Sequence, residues 1–584
     1  MIYKMCRFDS GHQLQSRVLI DINQKKFFIG LWLCCVLLMP SMQILADPVE
    51  TYSAAVVSAH PLASQAGEEI LAQGGNAFDA AVAVSAVLAV VEPYASGLGG
   101  GGFWLLHRAE DRRDIMIDGR ETAPGKASST MYLDEALQPI KGASLMGPAA
   151  AAIPGTPAAL AHITKEYGQL SLAENLAPAI TLARTGFKLD NRFARTIKQH
   201  KNKLLQNQAA AQIFLNNGEV PVAGSLLLQP QLATTLSILA KQGADGFYKG
   251  IFAQDMIRSV RQAGGVWRYE DLLHYRIVER EPIKFSYRGA RVTSASLPSA
   301  GGLTLAQGLN ILENFSVTEI NTWDKAHLIS EALRLAYKDR VELLGDSDFV
   351  SVPDKKLISK RYARQRAALI DRDKAGSSLN THVSSERSNE GTETTHFSII
   401  DKAGNRVAAT MSINTFFGSG FVVGNTGVLL NNEMDDFSMG KNIPNIFGLY
   451  GSEANIIAPG KRPLSSMSPT FVENERGVLI VGTPGGSRII SMLLLVIMDF
   501  VDHGQTDVDK LVSSPRLHHQ YLPDQVQIEP NSFDPTWIEK MQLKGHVVNT
   551  AKRQWGNMQL IFFDKNSRQS YASNDPRGSF DTHY

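Results

Sequence analysis

Cysteine is almost missing from this sequence of 584 residues: Cys6, Cys34 and Cys35 are the whole set. All three precede Asp47, where a leader would end, so the remaining chain, Asp47 to Tyr584, carries no thiol. That excludes a disulfide framework, a thiol nucleophile and a cysteine-based metal site from it. An excess of charge of one sign is lacking too, with 58 Lys and Arg set against 57 Asp and Glu, mixed along the chain. No nucleic-acid surface is indicated, and a small-molecule or peptide partner is expected. Histidines at a metal-ligand spacing such as His-Glu-x-x-His do not occur, so neither a metal nor an organic cofactor is implied. The sequence has no internal repeat.

What is present begins with Lys25 and Lys26, then thirteen uncharged, mostly apolar residues, Phe27 to Met39, then Pro40, and Ala46 before Asp47. A basic, then apolar, then small-residue order is that of a secretory signal. The apolar run is shorter than the roughly 20 residues a membrane-crossing helix needs. Residues 1–46 are therefore expected to be a cleaved signal, and the protein to be exported, periplasmic or secreted. The long stretch before Lys25 leaves an uncleaved membrane anchor as the alternative. The leader holds five bases and two acids, so its loss would move the formal charge from +1 to −2. The composition, 44% hydrophobic and 20% charged, is that of a globular protein long enough for a sizeable core.

From His60 to Val91 two Ala-rich apolar runs flank Gly74, Gly75 and Asn76, which reads as helix, glycine turn, helix, the second helix buried. Next, EPYASGLGGGGFWLLH (Glu92 to His107) sets four consecutive glycines, Gly99 to Gly102, before an apolar strand. Glycine permits close backbone packing there. A phosphate-cradling loop would need a Gly-Lys-Ser/Thr and a following helix, and neither is present. Ala326 to Gly345 reads as a helix. Residues 371–393, DRDKAGSSLNTHVSSERSNEGTE, hold no Phe, Tyr or Trp and few apolar residues, and a mobile loop is predicted. Beyond it, HFSIID and NRVAATMSI, joined by Lys402-Ala403-Gly404-Asn405, read as a β-hairpin.

Thr394 stands where that loop meets the hairpin. A threonine hydroxyl is a poor nucleophile unless a base takes its proton. If the chain were cut between Glu393 and Thr394, the new α-amine of Thr394 would lie beside its own hydroxyl. An α-amine has a reference pKa of about 8, so a modest downward shift would leave it neutral and able to act as that base. On the dipeptide alone, Thr394 and Thr395 are equally ordinary β-branched strand residues, and His396 is a core or hydrogen-bonding residue.

Several long segments carry a resemblance that separates these readings. TTHFSIIDKAGN from Thr394, LLNNEMDDFS (Leu429 to Ser438), KRPLSSMSPT (Lys461 to Thr470) and GTPGGSRII (Gly482 to Ile490) resemble the signature of γ-glutamyltransferases, also called γ-glutamyl transpeptidases or glutathione hydrolases. GGNAFDAAVA, VEPYASGLGGGGF, DGRETAP, YRIVEREP, AYKDRVELLGD, SPRLHHQ and NDPR are similar as well. Together they span about residues 50 to 584, in order, which a lone short pattern does not do.

The resemblance implies an α/β (α+β) N-terminal-nucleophile hydrolase, a four-layer αββα sandwich, made as a precursor that cuts itself. The large subunit would be residues 47–393 and the small subunit 394–584, the two forming one αββα domain. Thr394 would be nucleophile and α-amino base, with the bond between Glu393 and Thr394 as the cleavage site. Ser412 falls where the family commonly has a threonine whose hydroxyl supports the nucleophile. Gly485 and Gly486 would offer backbone N–H groups to the oxyanion, although Pro-Gly-Gly is in its own right only a turn. Arg120, with Ser465 and Ser466, fits the α-carboxylate of a glutamyl group. Asn414, Glu433 and Asp436 fit its α-ammonium, and Asp435 points elsewhere. Phe447 takes the place of a tyrosine on a lid at about 439–451, and it has no hydroxyl with which to pin that lid.

The implied substrates are glutathione and other γ-glutamyl compounds, with water, an amino acid or a dipeptide as acceptor. Two alternatives stand beside this: an acylase of different specificity, acting on cephalosporin (glutaryl) side chains or processing poly-γ-glutamate, and an inactive binding homologue. A glutaryl group has no α-ammonium for Glu433 and Asp436 to grip. A binding protein would have no need of a competent group at every reacting position.

Overall fold

A computed structural model of the chain describes residues 52–318, 320–378, 393–440 and 443–578. The expected leader, residues 379–392 of the expected loop, and 441–442 of the lid lie outside the described residues. From Thr51 onward the chain is one compact unit.

Two antiparallel six-stranded sheets form its middle. The first has the spatial order β1 (Ala55–Ser58), β7 (Thr395–Ile400), β8 (Arg406–Ser412), β2 (Gly101–Arg108), β3 (Arg113–Asp118) and β4 (Val278–Arg280). The second runs β12 (Ser570–Asn574), β11 (Gln559–Asp564), β10 (Gly477–Gly482), β9 (Thr470–Glu473), β6 (Ala290–Ser294) and β5 (Ile283–Tyr287). Helices α1 (Pro61–Ala72) and α2 (Ala77–Val91) cover the first sheet. Helices α3 (Gly301–Leu312), α4 (Thr322–Leu343) and α5 (Ile489–Asp502) belong to the layer outside the second. The layering is αββα, as the resemblance implied.

The period of two along the strands makes those layers. In β2, Trp104 and Leu106 pack into the core under α2, whereas Phe103 and Leu105 face the core shared with the second sheet. Burial of each such side chain contributes about 1.5–3 kcal/mol. Helix α2 is buried along its whole length, starting at a capping box in which Asn76 accepts from Phe78 and Asp79 N–H and the Asp79 carboxylate accepts from Asn76 N–H. Helix α4 begins four residues before the sequence pattern suggests, because Asn321 caps it by accepting from Asp324 N–H at 2.9 Å.

The hairpin β7–β8 pairs in the expected register, Thr395 opposite Met411 and Ile400 opposite Arg406. Asp401 closes its turn by accepting from Ala403 and Asn405 N–H, and Gly404 takes φ +87°. The expected mobile loop, by contrast, is held in place over its first eight residues. Residues 371–378 are held by the protein: Gly376 N–H donates to Glu331, Ser378 N–H to Asp524 and Ala375 N–H to the Lys544 carbonyl. Polar groups outside the segment supply an order that its apolar content could not. No helix among the described residues is long and apolar enough to cross a membrane.

Candidate active site

The glycine run sets the floor of the site. A Cβ on Gly99 would lie 2.0 Å from the Leu429 carbonyl oxygen, and one on Gly100 2.1 Å from that of Ser412. Only glycine lets the chain come this close, so the 412–414 and 429–433 segments are drawn together over β2. Asn431 fixes the second segment, donating from Nδ2 to the Gly99 and Ala152 carbonyls.

At the head of β7, Thr394 is buried and has φ +118°, a strained conformation for a β-branched residue. Its Oγ1 lies 3.1 Å from Ser412 Oγ, which accepts from Asn414 N–H at 2.8 Å. The next residue is anchored from behind: Thr395 Oγ1 donates to Glu92 at 2.9 Å, and Tyr94 and Arg192 hold the other oxygen of that carboxyl. Burial pushes the Glu92 carboxyl up, with Arg192 opposing. His396 is buried between Thr410 and Ser398, and burial lowers its pKa to about 3, so it is a neutral hydrogen-bonding residue.

Arg120, Thr394, Ser412, Asn414, Glu433, Asp436, Ser465, Ser466 and Gly486 line one cavity. Gly485 and Glu393 adjoin it through their neighbours in the chain. Gly485 and Gly486 have φ +141° and +56°, and neither N–H donates to a described group. The charged residues meet one another: Arg120 is 2.8 Å from Glu433, 2.6 Å from Asp436 and 3.6 Å from Glu121. Burial works against the Arg120 charge, but these carboxyls outweigh it and raise its pKa. Burial pushes Glu121 up to about 7 and Glu433 well above the usual carboxylate range, in both cases against the pull of Arg120. Three carboxyls around one guanidinium cannot all ionise freely. Asp435 faces away, accepting from Ser144 Oγ at 2.6 Å and Ile446 N–H at 2.8 Å.

The lid is held down without a tyrosine. The Phe447 ring lies where a Cβ on Gly486 would touch it at 2.7 Å, and Gln520 Nε2 donates to the Phe447 and Gly448 carbonyls at 3.3 and 3.2 Å. Gln520 is itself fixed by Ser487 Oγ, which donates to it at 2.6 Å. Beneath the lid the cavity is small, with room on the order of one water. Glu92, Gln520 and Arg340, which also lines the cavity, were not identified from sequence, although Glu92 opens the EPYASG segment and Arg340 lies in AYKDRVELLGD.

A hairpin that presents a buried threonine hydroxyl at the head of a central strand, inside an αββα sandwich, defines an N-terminal-nucleophile hydrolase. Residues 63–582 match the family described as Gamma-glutamyltranspeptidase. The glutathione hydrolase proenzyme of Escherichia coli (strain K12) is 41% identical over 534 residues, 91% of each chain. Among solved structures, the cephalosporin acylase from Bacillus halodurans superposes with a TM-score of 0.78 at 28% identity, covering 92% of this chain and 98% of that one. The γ-glutamyltranspeptidase of Helicobacter pylori gives 0.55 at 38% identity, covering 60% and 99%. This chain belongs to the γ-glutamyltranspeptidase family, and it is an enzyme of that type.

Proposed function

We propose that this chain is a self-processing γ-glutamyltransferase that cleaves the γ-glutamyl bond of glutathione and related compounds and passes the glutamyl group to water, an amino acid or a dipeptide. The observation that carries the reading is the approach of Thr394 Oγ1 to Ser412 Oγ, 3.1 Å, in the cavity that also holds Arg120, Glu433 and Asp436.

In the continuous chain the Thr394 nitrogen is an amide and cannot act as a base. Ser412 Oγ accepts from Asn414 N–H, which fixes it 3.1 Å from Thr394 Oγ1 with a proton to donate and a lone pair still able to accept. Attack of Oγ1 on the Glu393 carbonyl carbon forms a C–O bond as the C–N bond breaks, and the nitrogen takes the hydroxyl proton. Water then hydrolyses the resulting ester, leaving a carboxylate on Glu393 and Thr394 as a new N-terminus. Two features favour this route. Both residues are buried, which keeps the bond from an outside protease, and the strain at Thr394 φ, of roughly 1–3 kcal/mol, is released by cleavage.

The freed amine takes the hydroxyl proton when Oγ1 attacks the γ-carbonyl of a donor. Gly485 and Gly486 N–H groups receive the oxyanion, the amine returns the proton to the leaving nitrogen, and a γ-glutamyl ester remains on Thr394. Water or an acceptor amine attacks that ester, with the same α-amine taking its proton. Glu433, Asp436 and Asn414 hold the α-ammonium, and Arg120, Ser465 and Ser466 the α-carboxylate. A glutaryl group would leave Glu433 and Asp436 without their cation, which disfavours the acylase alternative despite the structural likeness to such an enzyme.

The processed enzyme would consist of a large piece ending at Glu393 and a small one starting at Thr394, exported by the 1–46 leader. N-terminal sequencing of both fragments, together with a glutathione-cleavage assay, tests processing, export and activity at once. One intact chain, or two fragments without activity on glutathione, would overturn the reading.

A further inference from the structure

Arg340 sits in the last turn of α4, 96% buried on the basis of 4% exposure, and lines the same cavity as Thr394. Its single polar contact among the described residues is Nη2 donating to Ser466 Oγ at 3.1 Å. Its Nε is buried without a partner, and no described carboxylate approaches it to ion-pair distance. Arg120 is the opposite case, with Glu433 and Asp436 within 2.8 Å and Nε donating to the Pro463 carbonyl. Arg120 and Arg340 are the two cations among the residues lining the cavity. Asp436 acts on Arg340 only from beyond contact distance and is paired with Arg120; a buried guanidinium with no carboxylate in contact costs several kcal/mol, which a ligand's charge would offset.

The serines point the same way. Ser465 Oγ accepts from Met467 N–H at 3.1 Å, and Ser466 Oγ accepts from Arg340, which can only donate. Neither hydroxyl donates to a described group, so both keep their protons for a carboxylate in the cavity. Arg340 therefore sets the polarity of the Ser466 hydroxyl as well as adding positive charge beside it.

We propose that Arg340 is the second cation of the carboxylate subsite, joining Arg120, Ser465 and Ser466 in receiving the α-carboxylate of the γ-glutamyl donor, while Arg120 also keeps its contacts with Glu433 and Asp436. The proposal rests on the γ-glutamyltransferase reading above. It makes Arg340 a specificity residue for donors that carry an α-carboxylate, acting both directly by charge and through Ser466.

The test compares wild type, Arg340→Met and Arg340→Lys on three p-nitroanilides: γ-glutamyl, glutaryl, which lacks the ammonium, and 4-aminobutyryl, which lacks the α-carboxylate. Arg340→Met is expected to raise KM for the first two about 10- to 100-fold, the range for a lost charge-assisted hydrogen bond, with a smaller fall in kcat. Its kcat/KM on the 4-aminobutyryl compound should fall less than threefold, and Arg340→Lys should recover part of the lost affinity. Equal losses on all three compounds, or no recovery with lysine, would show a merely structural role and overturn the proposal. Unchanged KM for γ-glutamyl p-nitroanilide in Arg340→Met would also overturn it while leaving the proposed activity standing. A processed wild type that cleaves no γ-glutamyl compound would remove that activity itself.

Discussion

The Thr394 and Ser412 hydroxyls are 3.1 Å apart, at the facing ends of two strands of one hairpin, β7 and β8. A ladder of backbone hydrogen bonds that runs to the Thr395–Met411 pair fixes the residues next to both. The Asn414 N–H donating to Ser412 holds that hydroxyl in place beside Thr394.

Thr394→Ala should remain one chain on a denaturing gel and be inactive, whereas Thr394→Ser should be cut, with the small fragment beginning at residue 394. Normal processing of the alanine variant would show that another residue is the nucleophile.

Ser412→Ala should slow both self-cleavage and turnover by about 10- to 100-fold, the scale of one hydrogen bond to an oxygen that gains charge. Ser412→Thr keeps the hydroxyl and should process at least as fast as wild type. A time course of fragment appearance checks both, and equal rates for alanine and wild type would end the assigned role.

Arg120→Ala should raise KM for a γ-glutamyl anilide while leaving the chain able to cut itself. It also strips the buried Glu121, Glu433 and Asp436 of their shared cation, a change that costs about 3–5 kcal/mol in comparable buried pairs. A lowered Tm is expected alongside the raised KM. Unaltered kinetics would take Arg120 out of the site.

Burial raises the Glu121 pKa from an ordinary 4.5 to about 7. A carboxyl whose folded pKa lies above its unfolded value stabilises the fold fully below the unfolded value, and that contribution is lost as pH rises through the folded one. Wild type should therefore lose stability relative to Glu121→Gln between about pH 4.5 and 7. Parallel Tm curves for the two proteins across that window would contradict the assignment.

Gln520→Leu removes the two hydrogen bonds that hold the Phe447 and Gly448 carbonyls. At about 1 kcal/mol each, their loss should increase lid opening roughly 30-fold, read as faster proteolytic nicking within 443–451. An unchanged nicking rate would place the hold on the lid elsewhere.

Much of this was legible in the sequence because it is local. The hairpin, the glycine turn after α1 and the break in composition before Thr394 are each written in neighbouring residues. The long motifs carried the residues proposed as nucleophile and substrate set. Arg340 was not legible as a site residue, since within α4 it looks like any charged residue near a helix end. Its isolation from carboxylates is a property of tertiary packing. Glu92 and Gln520 were missed for the same reason: their partners, Thr395 and the lid carbonyls, lie 303 and 72–73 residues away. Phe447 alone left the firmness of the lid open, because backbone carbonyls, which every residue carries, provide the anchoring.

The bond between Glu393 and Thr394 lies directly beside β7, which pairs with β1 on one edge and, through β8, with β2. In the second sheet, β9 pairs with β6 across the same divide. If the bond is cut as proposed, neither piece would own a complete sheet, and refolding would change from a first-order event to a second-order one that depends on concentration. A mature enzyme that unfolds in dilute surroundings has no efficient way back, so its lifetime is set by its unfolding rate rather than by an equilibrium.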